Sequence, residues 1–138
     1  MNDLQAAVEM LKEKIGPGYW KSIDVDEGWY QLVIDCDKEL TQIDPNYQIA
    51  QIKQKFGGLR YYFQSSSSNA YNAMEEVVRK YETIAAVTCE STGEAGVLMR
   101  SKSGWYRTLN MEYASNTAHL VGYSVVLKTQ PSASSQLL

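Results

Sequence analysis

The sequence predicts an α+β fold, with helices packed on a small antiparallel sheet. Three observations carry this expectation. Three segments repeat apolar residues at the helical period, and several shorter ones alternate apolar and polar residues as half-buried strands do. The chain of 138 residues, 44% of them hydrophobic, also suffices for one packed core. Residues 1–128 are read as a single domain and 129–138 as a disordered tail rich in serine.

The first helix is expected over 3–15, where Leu4, Ala7, Val8, Leu11 and Ile15 form a stripe, Asn2 or Asp3 caps, and Gly16-Pro17-Gly18 terminates. A loop carrying Tyr19, Trp20 and Ile23 leads to Asp24-Val25-Asp26-Glu27-Gly28. A second helix is expected over 27–41, with Trp29, Leu32, Val33, Cys36 and Leu40 inward and Asp35, Asp37, Lys38 and Glu39 on the opposite face. Asp44-Pro45-Asn46 reads as a turn. Ala50, Ile52, Gln54 and Phe56 then alternate with Gln51, Lys53 and Lys55, and Gly57-Gly58 joins this run to Leu59–Phe63. That pattern predicts a β-hairpin, with Lys53, Lys55, Arg60 and Tyr62 on its outward face.

The four serines within 64–69 read as a flexible loop. A third helix is expected over 70–86, carrying Ala70, Ala73, Met74, Val77, Val78, Tyr81, Ile84 and Ala85 on one stripe. Beyond it, Val87-Thr88-Cys89 enters as a strand, and 97–100 with 105–108 form a hairpin. Residues 109–119 suit a short helix, and Val121, Tyr123, Val125 and Leu127 alternate as a last strand. These strands and the 49–63 hairpin are expected to share one sheet.

The net charge of −3 conceals an asymmetry. Ten acids against four bases in residues 1–50 leave −6, and six acids against nine bases in the rest leave +3. No apolar run is long enough to span a membrane, and the first residues carry no secretory signal. Two cysteines, Cys36 and Cys89, cannot make a disulfide framework and are expected as thiols in a reducing cytosol. Nucleophile-elbow, phosphate-loop and dinucleotide fingerprints are missing, and His119, the sole histidine, has no partner motif for general-base work. A non-catalytic chain without cofactor is therefore expected. Two surfaces could meet a partner. Asp24, Asp26, Glu27, Asp35, Asp37 and Glu39 could form an acidic face that competes for a basic groove. Lys53, Lys55, Arg60, Arg100, Lys102 and Arg107 lie among aromatics in two hairpins, a composition suited to gripping phosphates and stacking on bases.

Three separated motifs add a resemblance. Ile52-Lys53-Gln54-Lys55-Phe56-Gly57-Gly58-Leu59-Arg60-Tyr61-Tyr62, Thr88-Cys89-Glu90-Ser91-Thr92-Gly93-Glu94-Ala95-Gly96 and Gly104-Trp105-Tyr106-Arg107-Thr108-Leu109 occur in that order. Over about residues 28–113 the chain resembles an uncharacterised family of small phage and prophage proteins, in which a helix–hairpin–helix body precedes a zinc-ribbon-like hairpin with paired cysteines. The resemblance implies a mobile-element origin rather than an activity. The chain departs from the family at Thr92, Asn110 and Tyr113, where ligands would stand, so only Cys89 remains of four. The implied hairpin is a degenerate ribbon without metal, in which Cys89, Leu109, Met111 and Tyr113 fill the vacated site. The function expected on this basis is a phage-encoded inhibitor of a host defence complex, resembling CRISPR inhibitors, acting through the acidic face in the host cytoplasm. The alternatives are a nucleic-acid-binding module using the six bases and a nucleotide-binding or nucleotide-acting protein.

Overall fold

Capping chemistry starts the first helix in the computed structural model, which describes residues 2–127. The Asn2 side chain accepts from the Gln5 N–H while the Gln5 side chain accepts from the Asn2 N–H, a reciprocal cap for α1 (Asp3–Leu11). The helix ends earlier than its periodicity suggests, in a 3₁₀ turn at Lys12–Lys14. The segment read as a loop then contains β1 (Ile23–Asp24), which pairs parallel to β2 through Ile23 with Ile52 and Asp24 with Lys53. Two residues are too few to display an alternation, so this strand left no period to read.

A 3₁₀ turn at Glu27–Trp29 leads into α2 (Tyr30–Ile43). Trp29 is fully buried and its indole N–H donates to the Thr88 carbonyl at 2.9 Å. β2 (Gln48–Lys55) and β3 (Gly58–Gln64) form the expected hairpin, with two corrections. The residues at positive φ are Phe56 (54°) and Gly57 (82°), and Gly58 already pairs with Lys55. A two-residue turn that follows the strands' twist needs positive φ at both central positions, and here a phenylalanine, 69% exposed, adopts one of them. Phe56 therefore lies outside the core stripe. The register also shifts between Ile49 and Gln51, so Ile49 and Ile52 are both buried although three residues apart.

α3 (Tyr71–Ala85) buries Met74, Val78, Tyr81 and Ala85. It packs on α2, which packs on α1, and all three helices cover one face of the mixed sheet ordered β1-β2-β3. The Glu82 carboxylate accepts from the Tyr61 N–H at 3.2 Å, occupying an edge donor of β3. The serine loop is tied to this body, because Asp44 accepts from the Ser66 hydroxyl at 2.5 Å and from its N–H at 2.6 Å. Those hydrogen bonds hold the Asp44 carboxyl below its ordinary value. A depressed folded pKa contributes stability that is present above the unfolded pKa and lost as pH falls through the folded one. Asp44→Asn is thus expected to melt below wild type at pH 7, with the gap closing under acid. A gap in melting temperature that stayed constant from pH 7 to pH 3 would refute this linkage.

The remaining strands build a second sheet rather than extending the first. β4 (Val97–Arg100), β5 (Tyr106–Leu109) and β6 (Ser124–Val125) are antiparallel in the order β5-β4-β6. Residues 87–89 contribute only one bridge, Thr88 with Ala95. The expected 109–119 helix is α4 (Met111–Ser115) followed by a 3₁₀ turn at Ala118–Leu120. Cys89, Met99, Leu109, Ala114 and Leu120 form a separate small core. Side chains join the two sheets: the Thr108 hydroxyl donates to the Gly57 carbonyl at 2.7 Å, and the Gln54 amide donates to the Tyr106 carbonyl at 3.3 Å. The single antiparallel sheet expected from sequence is therefore two three-stranded sheets, one mixed and one antiparallel. The tail expected at 129–138 lies outside the described residues.

Candidate functional site

The six acids do not make one face. Residues 35, 37 and 39 alternate, and on a helix residues two apart point to different sides. Asp37 points inward, is only 8% exposed, and accepts from the Tyr47 hydroxyl at 2.6 Å and from the Lys14 ammonium at 2.8 Å. Burial, and then the bond to Asp37, push the Tyr47 phenol far above its ordinary value, so it remains a donor. Glu39 accepts from Lys80 at 2.7 Å and from the Tyr81 hydroxyl; the Lys80 and Tyr81 hydrogen bonds lower its pKa. Asp35 is half-buried and takes a hydrogen bond from Gln31 at 2.9 Å. Asp26 is paired with Arg107. Asp24 and Glu27 are exposed without an ionic partner among the described residues.

The bases divide differently. Arg107 is committed internally, bonded to Asp26 and to the Ser91 hydroxyl at 3.1 Å, with the buried Glu90 carboxylate 3.5 Å away. Lys53, Lys55, Arg60, Arg100 and Lys102 have no carboxylate within ion-pair distance among the described residues. Arg100 stacks instead over Tyr106, 5.6 Å from the ring centre. Lys53 and Arg60 stand directly opposite each other across β2 and β3, with Gln51 and Tyr62 as the next pair on the same face. The helices cover the other face, and among the described residues no helix packs on this one, where the side chains are half-buried to exposed. Lys53, Lys55, Arg60 and Tyr62 share it as expected. Directly opposed like charges cost a sheet a few tenths of a kcal/mol up to about 1 kcal/mol. Asp24 is in register beside Lys53 on β1 but outside ion-pair distance.

The element that sequence reasoning missed lies at the end of this face. Trp20, 87% exposed, shares a cleft of about 360 Å³ with Tyr19, Ser22, Gln51 and Tyr62. The turn presenting it is held on both sides. The Gly16 N–H donates to the Ile49 carbonyl at 3.0 Å, the Gln64 amide to the Tyr19 hydroxyl at 2.7 Å, and the Lys21 ammonium to the Ile15 carbonyl. A signal was present in Gly16-Pro17-Gly18-Tyr19-Trp20: two aromatics follow a chain-reversing triplet and belong to no apolar period.

The Thr88–Gly93 segment, where the resemblance implied a degenerate zinc knuckle, is also informative. Burial acts to raise the Cys89 thiol, but hydrogen bonding to its sulfur outweighs it and its pKa is lowered; the Thr92 N–H donates to the sulfur at 3.4 Å. Thr92 and Asn110 serve as turn and cap, the Thr92 hydroxyl accepting from Glu94 N–H and the Asn110 side chain from Tyr113 N–H. Among the described residues, no group of three or more His, Cys, Asp and Glu is arranged to hold a metal. The packing that fills this region differs from expectation: Met111 is exposed, and Ala114 and Leu120 join Cys89 and Leu109, with Tyr113 against them. His119 is exposed and borders a polar hollow with Asp26, Glu27, Ser91 and Arg107.

No protein-family model, curated protein or solved structure matches the chain. No helix among the described residues is long and apolar enough to cross a membrane.

Proposed function

We propose that the chain is a non-catalytic nucleic-acid-binding protein that uses the open face of its mixed sheet. The observation that carries this reading is the Lys53–Arg60 pair, two cations directly opposed without a carboxylate at ion-pair distance among the described residues. That arrangement is unfavourable in the isolated fold and becomes favourable beside a phosphate backbone. Exposed Tyr62 and Trp20 flank it with stacking surface. Lys55 extends the basic row toward the hairpin turn, whereas Arg100 and Lys102 belong to the second hairpin and Arg107 is internally paired.

Anisotropy titrations of a labelled single-stranded oligonucleotide across salt concentrations test the reading. Binding is expected to weaken steeply with salt. Replacing Lys53 and Arg60 together by alanine is expected to reduce the log–log slope by about 1.4, the value for two single-strand phosphate contacts. A wild-type protein with no salt-dependent binding would exclude this function.

A second reading, the inhibitor of a host defence complex, draws on the resemblance to phage proteins and on Asp24, Asp26 and Glu27, exposed within four residues at the entrance to α2. Its test is capture of a partner from nuclease-treated bacterial lysate, lost in Asp24→Lys with Glu27→Lys. A partner retained by that double variant would remove the acidic surface as the contact.

A further inference from the structure

We infer that the cleft between Trp20 and Tyr62 receives an unpaired base, so that the protein selects single-stranded over duplex nucleic acid. This inference rests on the nucleic-acid reading above and adds the recognition element to it. Trp20 carries the largest aromatic surface on this side of the molecule, yet 87% of it faces solvent. Floppiness does not explain that exposure, because the Gly16, Tyr19 and Lys21 bonds fix the turn on either side of the indole. An exposed indole on a turn held by those bonds, beside Tyr62, itself 45% exposed, offers flat stacking surface on a backbone already in place.

The neighbouring groups specify a base rather than an apolar side chain. The Gln51 amide supplies a donor and an acceptor at the cleft, suited to the edge of a heterocycle, while the Ser22 hydroxyl donates to Asp24 and is left as an acceptor. Charge decides the rest. Gln51 and Tyr62 form one cross-strand pair and Lys53 and Arg60 the next on the same face, two residues and hence about 7 Å along the strands. A base seated against Tyr62 therefore carries its sugar–phosphate toward two cations that have no ion-pair partner among the described residues. An apolar peptide anchor would leave those cations without a role. In a duplex the base faces are covered by their stacked neighbours, so only an unpaired nucleotide can offer one to Trp20.

The experiment compares a labelled ten-residue oligothymidine with a labelled duplex of the same length, by anisotropy at one salt concentration. Wild type is expected to prefer the single strand at least several-fold. Trp20→Ala is expected to lose about tenfold on the single strand and little on the duplex, and Trp20→Phe to recover most of the loss. Because Trp20 is solvent-exposed, the variants should retain the wild-type circular dichroism and melting temperature. In a Trp105→Phe background, where the remaining exposed indole is Trp20, oligothymidine is expected to quench fluorescence. Equal single-strand affinity in wild type and Trp20→Ala, with affinity still lost in the Lys53 and Arg60 variant, would overturn the cleft assignment and leave the nucleic-acid reading standing. Binding of neither nucleic acid by wild type would overturn both. Quenching by a proline-rich peptide but not by oligothymidine would make the cleft a peptide site and overturn the inference.

Discussion

Gly28→Ala is expected to abolish stable folding, a loss of at least about 4 kcal/mol. Gly28 lies in the 3₁₀ turn before α2, where the chain crosses the Cys89–Glu90 loop at backbone-to-backbone distance. A methyl group there would stand 2.5 Å from the Glu90 carbonyl carbon and closer still to the carbonyl oxygens of Cys89 and Glu90. Side chains could rotate away, but these are main-chain atoms. The crossing is also fastened on both sides of the glycine. Asp26 N–H donates to Glu90 Oε2 at 3.2 Å, and the Trp29 indole donates to the Thr88 carbonyl. Separating the two segments enough for a methyl would break those bonds and lift Trp29 out of the core. Gly18→Ala is the control: its φ is +89° and a Cβ would meet nothing within 4 Å, so it should lose only the about 1–2 kcal/mol of left-handed strain. Urea unfolding followed by tryptophan fluorescence distinguishes them. Equal midpoints for the two variants would mean that the crossing yields more easily than its geometry implies.

Asp37→Ala is expected to destabilise by about 3 kcal/mol. The carboxylate ends a buried chain in which the Tyr47 and Tyr61 hydroxyls lie 2.7 Å apart and Tyr47 donates to Asp37. Deleting the acceptor strands that chain and removes the counter-charge from Lys14. Lys14 keeps some solvent access, with a side chain 35% exposed, which holds the figure below that for a fully buried pair. Tyr47→Phe should cost less, and the double variant less than the sum of both, because each deletion breaks the same hydrogen bond. Additive costs in chemical denaturation would refute the coupling. Charge reversal at Asp37 would accordingly report unfolding rather than a lost partner, so tests of an acidic contact belong at Asp24 and Glu27.

How much of this was legible depends on the range of the interaction. The third helix could be read because its apolar stripe spans four turns, and its burial of Met74, Val78, Tyr81 and Ala85 follows that period. The hairpin could be read because Gly57 permits a reversal between two alternating runs. Its register could not: the shift at Ala50 and the positive φ of Phe56 follow from how the strands pair and twist, and neither residue type announces them. β1 escaped because it exists only through pairing with β2. The outward basic–aromatic face was legible from alternation alone, but its extension to Trp20 required knowing that the described residues leave that indole exposed.

The acidic half shows the same division. Its ten carboxylates are a property of the sequence, and so is the contrast with the basic remainder. The sequence alone also determined the helical stripes, a cap at Asn2 or Asp3 and the alternation of the hairpin, because each depends on residues within one or two turns of one another. The tertiary structure decided which charges are neutralised. Asp37 meets Lys14 across 23 residues, Glu39 meets Lys80 across 41, and Asp26 meets Arg107 across 81. Hydrogen bonds and ion pairs form between groups a few ångströms apart in space, and only the packed fold sets those distances. Several acids are thereby drawn into the structure, while Lys53 and Arg60 remain opposed on an open face.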